Sequence, residues 1–577
     1  MNKKIVVVGI IGIFMLSGVT TLSAVKINVK MEICNDQKSF GVPLLNNRKT
    51  WYVDDNNTEG PWDGTVDHPY KKIKDAVENA TESDEINVFS GKYYERITLD
   101  KELTLKGIDT GEGKPIIDGN ETGTIINIKA ENCVVNNFEI KRAGWELDNY
   151  GKNILIKKKN AIITNNDIIG QAEMGICLYS NAHNAKIFNN TIKKIGYQGI
   201  YNDGAENVNI SYNMITDSGE AILLYFTGKN TVYRNVISSN DRALVLYYGG
   251  DYEVIENVIS DHSDYGFIIY RNSYPNQVIG NVIYSNNGRA LFLNENYAKI
   301  SAINNTIYSN KAIGIEVWRS NNVEILQNTV YSNYKHGVQL SYSNKCKIID
   351  NKIYSNDGHG IGIDDSDNLE IINNNIENNT QDGLRISWSN NNIIYHNNFV
   401  KNENNAYEIG TGLIKWDDGP IAGGNYWSDY DGIDENADGI GDTPYYISFP
   451  NKRDEYPIMK PDGWLNTPPD SPTIRGQTAG KADKEYEYTF QAVDPQQNQI
   501  YYYIDWNDRK VEDWIGPYES GEELTLKHAW SKEGAYVIKA KVKDIHDTES
   551  EWATLSITMP RNKQLNRFLI LAQIFDI

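Results

Sequence analysis

Cysteine is scarce. The chain of 577 residues has four (Cys34, Cys133, Cys177, Cys346) and no CxxC pair. Cys177 and Cys346 lie too far apart along the repeat described below to bond, so no disulfide framework is expected. Basic residues are also outnumbered: 56 Lys and Arg against 77 Asp and Glu leave a formal charge of −21. That balance argues against a nucleic-acid footprint and suits solubility, high salt or calcium. Eight His, four Cys and seven Met are few for copper handling. Apolar residues at the three-or-four spacing of helices are missing from most of the chain; the spacing there is two, which suits strands.

What is present is a repeat. An Asn followed two residues later by an aliphatic residue or Phe recurs from Asn166, Asn190 and Asn213 to Asn374 and Asn397, at intervals of 22 to 24 residues. Ahead of most of these lies a Gly/Ala-aliphatic-x-aliphatic anchor, such as Gly175-Ile176-Cys177-Leu178, Gly314-Ile315-Glu316-Val317 and Gly383-Leu384-Arg385-Ile386. A fixed period of this length means one repeat per coil of a solenoid. A lone coil cannot bury its inward Ile, Leu and Val, whereas stacked coils bury them as a column. Stacking at about 4.8 Å places the Asn residues over one another as a ladder. Asn also tolerates left-handed turns and offers both donors and an acceptor.

At this length two or more domains are expected. Residues 1–24 read as an export signal: Lys3 and Lys4, an apolar run from Ile5 to Leu16, then small residues to Ala24. An uncleaved membrane anchor is the competing reading. Either places the body outside the cytoplasm. Residues 25–50 read as a linker. A predicted amphipathic helix from about Pro69 to Ala80 caps the open end of the stack, followed by strands at Ile86–Phe89 and Ile97–Leu99. With roughly three irregular coils before the regular ones, the stack comes to about 14 coils, or about 65 Å. After the Pro-rich joint at Asn466–Pro469, alternating runs such as Tyr486–Phe490, Ile500–Ile504 and Tyr536–Ile538 predict an all-β sandwich over 466–559. The tail, 560–577, holds an apolar run (Phe568–Leu571) too short to span a bilayer.

Residues 51–464 resemble the right-handed parallel β-helix repeat proteins, with a pectate-lyase-like solenoid. They look most like the NosD-like branch, whose repeats belong to a domain shared by carbohydrate-binding proteins and sugar hydrolases. Gly424-Asn425-Tyr426-Trp427-Ser428-Asp429-Tyr430 and Asp454-Glu455-Tyr456-Pro457-Ile458 are similar to that branch too. Asp505-Trp506-Asn507-Asp508, His528-Ala529-Trp530 and Gly534-Ala535-Tyr536 resemble the polycystic-kidney-disease (PKD) type of Ig-like repeat, which usually has Gly where Asn507 and Arg509 stand. The fold class implied is all-β: a parallel β-helix followed by an Ig-like sandwich. The resemblance identifies a fold and leaves the activity open.

Asp434, Asn436, Asp438, Ile440 (by its carbonyl) and Asp442, with Gly439 at position six, match the ligand spacing of an EF-hand-like calcium loop. Tyr445 replaces the closing bidentate Glu, so Asp454 or Glu455 would have to complete the shell. Calcium is the expected cofactor.

If the alternation holds, residues one and three after each anchor point inward and those at two and four face solvent. The outward rows at four and five carry Tyr225, Tyr247, Tyr248, Tyr270, Trp318, Tyr342 and Trp388, with Arg271, Glu295 and Arg319 between. Exposed aromatics in register suit flat sugar rings, and Arg and carboxylates suit hydroxyl or uronate groups. The competing reading is simple cross-strand stabilisation. Glu295 and Glu316, flanked by Arg271 and Arg319, are the candidate catalytic set; Asp364, Asp365 and Arg385 add a second polar cluster. His336 and His359 share a column with Asp382 and could meet a metal. The favoured function is binding, and also cleaving if a lyase or glycoside hydrolase, of an extracellular polysaccharide or cell-surface glycan. A structural or adhesive surface protein and a NosD-like copper-site maturation accessory are the alternatives. No nucleic-acid partner is expected, and membrane contact only through an uncleaved N-terminal segment.

Overall fold

The structure, a computed structural model, describes residues 48–144, 151–170, 172–436, 438–448, 452–545 and 547–559. The expected export signal, most of the linker and the tail lie outside these residues.

Each coil contributes one strand to each of three parallel sheets, in the order sheet II, sheet I, sheet III. Sheet I has 16 strands, from Thr50–Val53 to Ile414–Lys415. Sheet II has 14, from Ile97–Leu99 to Ala406–Ile409, and sheet III has 15, from Lys92–Tyr93 to Tyr426–Trp427. The result is a right-handed parallel solenoid of about 14 turns, as the period requires. The residues one and three after each anchor fill the interior: Ile176, Leu178, Ile315, Val317, Leu384 and Ile386 are wholly buried.

The Asn ladder runs unbroken from Asn166 to Asn397 and gains one more rung at Asn425. At each step the backbone N–H and Nδ2 of one Asn donate to Oδ1 of the next, as between Asn305 and Asn328 at 2.9 Å each. Nδ2 also reaches a carbonyl of the preceding coil, from Asn305 to Val278 at 2.9 Å. Every ladder amide is thereby paired. The left-handed conformation falls on the residue before each rung and not on the ladder Asn itself: Asn165, Tyr212, Arg234, Glu256, Gln327 and His396 all have φ near +55°. The ladder Asn must stay extended to aim its amide inward, so its neighbour takes the turn.

The first helix is shorter than predicted, Ile73–Asn79. Tyr70 bridges to Val53 and Lys72 is extended, which delays the start. Glu95 caps it by accepting from the N–H groups of Ile73 and Lys74 at 2.8 and 2.9 Å. Lys101 Nζ satisfies the carbonyls of Val77, Glu78 and Ala80 at the other end.

Two small antiparallel sheets follow. One has three strands, with Tyr486–Gln491 between Thr473–Gly476 and Leu524–His528. The other has four, in the order Val511–Tyr518, Ile500–Asp505, Gly534–Asp544, Ala553–Met559. They share a second core that includes Tyr488, Phe490, Tyr502, Trp506 and Trp530. Asn507 and Arg509 take the left-handed turn at φ +61° and +76° without Gly.

Candidate functional site

The strands of sheet II hold the predicted site residues in register. Tyr225, Tyr247, Tyr270, Asn294, Trp318, Ser341, Asp364 and Ser387 are successive cross-strand partners. The next residue of each strand turns the corner in the left-handed region: Phe226, Tyr248, Arg271, Glu295, Arg319, Tyr342, Asp365 and Trp388 have φ between +46° and +54°. The same conformation turns the other two corners, on Tyr212, Arg234 and Glu256 after sheet I and on Lys194, Ser285 and Lys401 after sheet III, at roughly 1 kcal/mol for each residue other than Gly.

The rings form two groups. Tyr247 lies 5.1 Å from Tyr270, and Phe226 stacks on Tyr248 at 5.0 Å. Trp318 and Tyr342 meet edge-on at 5.2 Å. Between the groups, Glu295 takes Arg271 Nε at 2.6 Å and Arg319 at 3.7 Å. Arg271 lies over the Tyr270 ring and bonds the Tyr248 hydroxyl, while Arg319 sits between Trp318 and Tyr342. Phe226, Tyr342 and Trp388 are more than half or nearly half exposed.

The residue two after each anchor departs from the expected solvent exposure. Cys177, Val245, Ile268, Glu316 and Gln339 are all under 9% exposed, although they point away from the core. Neighbouring side chains lie over this outward column, which is a covered floor at Glu316 and Gln339. Glu316 in that floor is bonded to Arg289, which also donates to the Tyr265 hydroxyl at 2.9 Å. Both carboxylates of the expected acid pair, Glu295 and Glu316, are therefore engaged by arginine, and proton transfer from either would break an ion pair.

His336 and His359, set in the sequence reading in one column with Asp382 as a candidate metal pair, do stack. Their rings stack at 4.8 Å and 4°. The N–H of His359 donates to His336 Nδ1 at 2.9 Å and that of Asp382 to His359 Nδ1 at 3.2 Å. Burial pulls His336 down to about 4 and lowers His359 as well, against the nearby Asp382 carboxylate. Lone pairs of parallel rings point the same way and cannot converge on one ion. Among the described residues no three His, Cys, Asp or Glu groups gather as a metal site. Cys133, Cys177 and Cys346 are buried, with burial pushing their thiols up to about 11, 12 and 12. These residues do not fit a copper site.

In the loop at 434–442, Asp434 Oδ2 accepts from Gly439 N at 2.9 Å, Asp438 Oδ1 from Ile440 N at 2.9 Å and Asp442 Oδ2 from Glu435 N at 2.7 Å. Asn436 Oδ1 accepts from Asp438 N at 3.1 Å. The expected closing carboxylates are elsewhere. Asp454 is wholly buried and takes Asn425 N, Trp427 Nε1 and Tyr456 N. Burial pushes it up to about 7. Glu455 pairs with Arg453 at 2.6 Å, and Tyr445 stacks on Trp427 at 4.2 Å. The loop supplies calcium-type oxygens without a closing ligand.

A family model described as periplasmic copper-binding protein (NosD) matches residues 299–432. One described as right handed beta helix region matches 175–329. No curated protein matches the chain as a relative. Among solved structures the chain is similar to the A-module of mannuronan C-5 epimerase AlgE6 from Azotobacter vinelandii, at 13% identity over 59% of this chain and 93% of that one, TM-score 0.30. It is similar to the periplasmic alginate epimerase AlgG at 12% identity over 60% and 83%, TM-score 0.24. Over 17% of its length it is 49% identical to all of the PKD domain of an M14-like peptidase from Thermoplasmatales archaeon SCGC AB-540-F20, TM-score 0.17. Three sheets stacked coil on coil, and two family models that between them run from 175 to 432, make this chain a right-handed parallel β-helix repeat protein, NosD-like over residues 299–432.

Proposed function

We propose that the protein is exported and binds an extracellular polysaccharide along the outer face of sheet II. The observation that carries this reading is the row of rings on that face: Phe226, Tyr342 and Trp388 stand exposed there, and apolar bulk on a solvent face calls for a partner. Ring faces and edges suit the apolar faces of sugars, and the Arg271–Glu295–Arg319 row offers donors and acceptors to hydroxyls. The description of the matching NosD model names a periplasmic protein, which supports export. Among the described residues no helix is long and apolar enough to cross a membrane. The reading stops at binding, because Glu295 and Glu316 are committed to arginines. For the copper-maturation alternative, the described residues bring no three His, Cys, Asp or Glu groups together.

The test is a glycan array on the purified protein with neutral and acidic glycans. The Tyr248→Ala, Trp318→Ala double variant is expected to lose at least 10-fold in affinity while melting like the wild type. Absence of glycan binding, or binding untouched in that variant, leaves a purely adhesive surface.

A further inference from the structure

We infer that the N-terminal end of the sheet II face is a subsite for a sugar unit carrying a carboxylate or sulfate; this rests on the polysaccharide reading and narrows its substrate class. A cavity of about 600 Å³ opens there, over the first three strands of the sheet. Its floor is the start of the outward column, Thr98, Asn127 and Leu155, held in register from coil to coil. The helix Ile73–Asn79 packs beside the first of these strands, and its Lys74, Val77 and Glu78 complete the lining.

The lining is opposite in charge to the chain. Lys74, Arg96, Lys101 and Lys157 stand against Glu78 and Asp100, in a protein whose formal charge is −21. Glu78 is paired with Lys74 at 3.6 Å, and Lys101 is held by the helix carbonyls. Lys157 makes no ion pair among the described residues; its Nζ lies 5.9 Å from the centre of the Tyr179 ring, one coil on. Lys129, its neighbour in the preceding coil, makes none either. Ammonium groups without counter-charges at a cavity concentrate anions there. The opposite end of the face carries Asp364, Asp365 and Asp382 instead, so a negative group on a ligand is drawn to this end.

The floor favours a sugar over a bare ion. Thr98 is exposed, and among the described residues neither its hydroxyl nor Asn127 Nδ2 has a hydrogen-bond partner. Both can serve the hydroxyls of a ring lying on the floor. Tyr179, 38% exposed, stands between Lys157 and the rings of the central coils, so the cavity continues into the aromatic row. A small inorganic anion would use the cations and leave the rest unserved.

Titration calorimetry on the full chain tests this, with hexasaccharides of galactose, galacturonate and sulfated galactose at about 20 mM and about 500 mM salt. At low salt one or both of the anionic sugars are expected to bind at least 10-fold tighter than the neutral one, and the one that does names the anion. High salt is expected to shrink that advantage at least 3-fold. Free acetate and inorganic sulfate are expected to bind at least 10-fold more weakly than the hexasaccharide carrying the same group. Lys157→Gln is expected to cut the anionic advantage at least 5-fold, with neutral binding and melting temperature unchanged. Asn127→Asp, which puts a carboxylate in the floor, is expected to do the same and carries the test if Lys157→Gln does not fold. Neutral preference in the wild type, an advantage indifferent to salt, free ions that bind as tightly as the sugars, or a folded Lys157→Gln that keeps the advantage overturns the subsite while the wider reading of the face stands. No glycan bound by the wild type at all overturns both.

Discussion

At position 262 an imidazole stands in a row of amides. A second ladder, not foreseen from the sequence, runs from Asn240 through His262 and Asn286 to Asn402. His262 is buried; its Nδ1 accepts from Asn240 N at 3.1 Å and its Nε2–H donates to the Ile237 carbonyl at 3.2 Å. Burial holds its pKa down to about 4, from 6.5 when unfolded. The unfolded chain therefore takes up a proton below 6.5 that the folded chain refuses until about 4. Stability from this site is complete above 6.5 and falls as pH drops through that window. The shift amounts to about 3 kcal/mol. His262→Asn restores the amide of its neighbours, and its stability should decline less than that of the wild type between pH 7 and 4 by roughly that amount. Denaturant melts across that range check it; parallel profiles for the two proteins would discard the assignment. The first ladder was legible because one residue type recurs at one interval. The second changes chemistry at His262, and a third passes from Asn272 and Asn296 to Ser320 and Ser343, so identity alone could not trace them.

At the scale of elements, strands were easier to read than caps. Period-two runs mark the strands directly, whereas the helix start depends on a remote carboxylate, Glu95, that no local pattern announces. The loop at 434–442 is the opposite case: its spacing is plain, but the partner the motif lacks is not supplied by Asp454 or Glu455, which are spent on Trp427 and Arg453. With oxygens on five positions and no bidentate closure, calcium binding there is a proposal of weak affinity, in the millimolar class of extracellular modules. Millimolar Ca²⁺ is expected to raise the melting temperature by a few degrees through linkage, and Asp438→Ala to erase the rise. A melting curve indifferent to Ca²⁺ would leave the loop as a hydrogen-bonded turn.

For the whole molecule, the outward rows of sheet II were readable as rows, while their partial covering was not. The covering of that face appears only once Arg289 is seen to lie against Glu316 and Asp364 against Gln339. From Tyr225 to Ser387 the face spans seven coil steps, about 34 Å at strand spacing. Affinity for an oligosaccharide should climb with chain length until the ligand reaches that span and then level off. A series of increasing length in calorimetry measures it, and an early plateau at two or three units would confine recognition to one end.

The corner hydrogen bonds repeat with the same partners from coil to coil, and that sameness bears on how such a protein grows. A duplicated stretch of 23 residues, such as 305–327, would begin and end on equivalent atoms and could slot into the column as one more turn. Lengthening by internal duplication would thus extend the recognition surface in single increments, leaving both ends of the rod as they were.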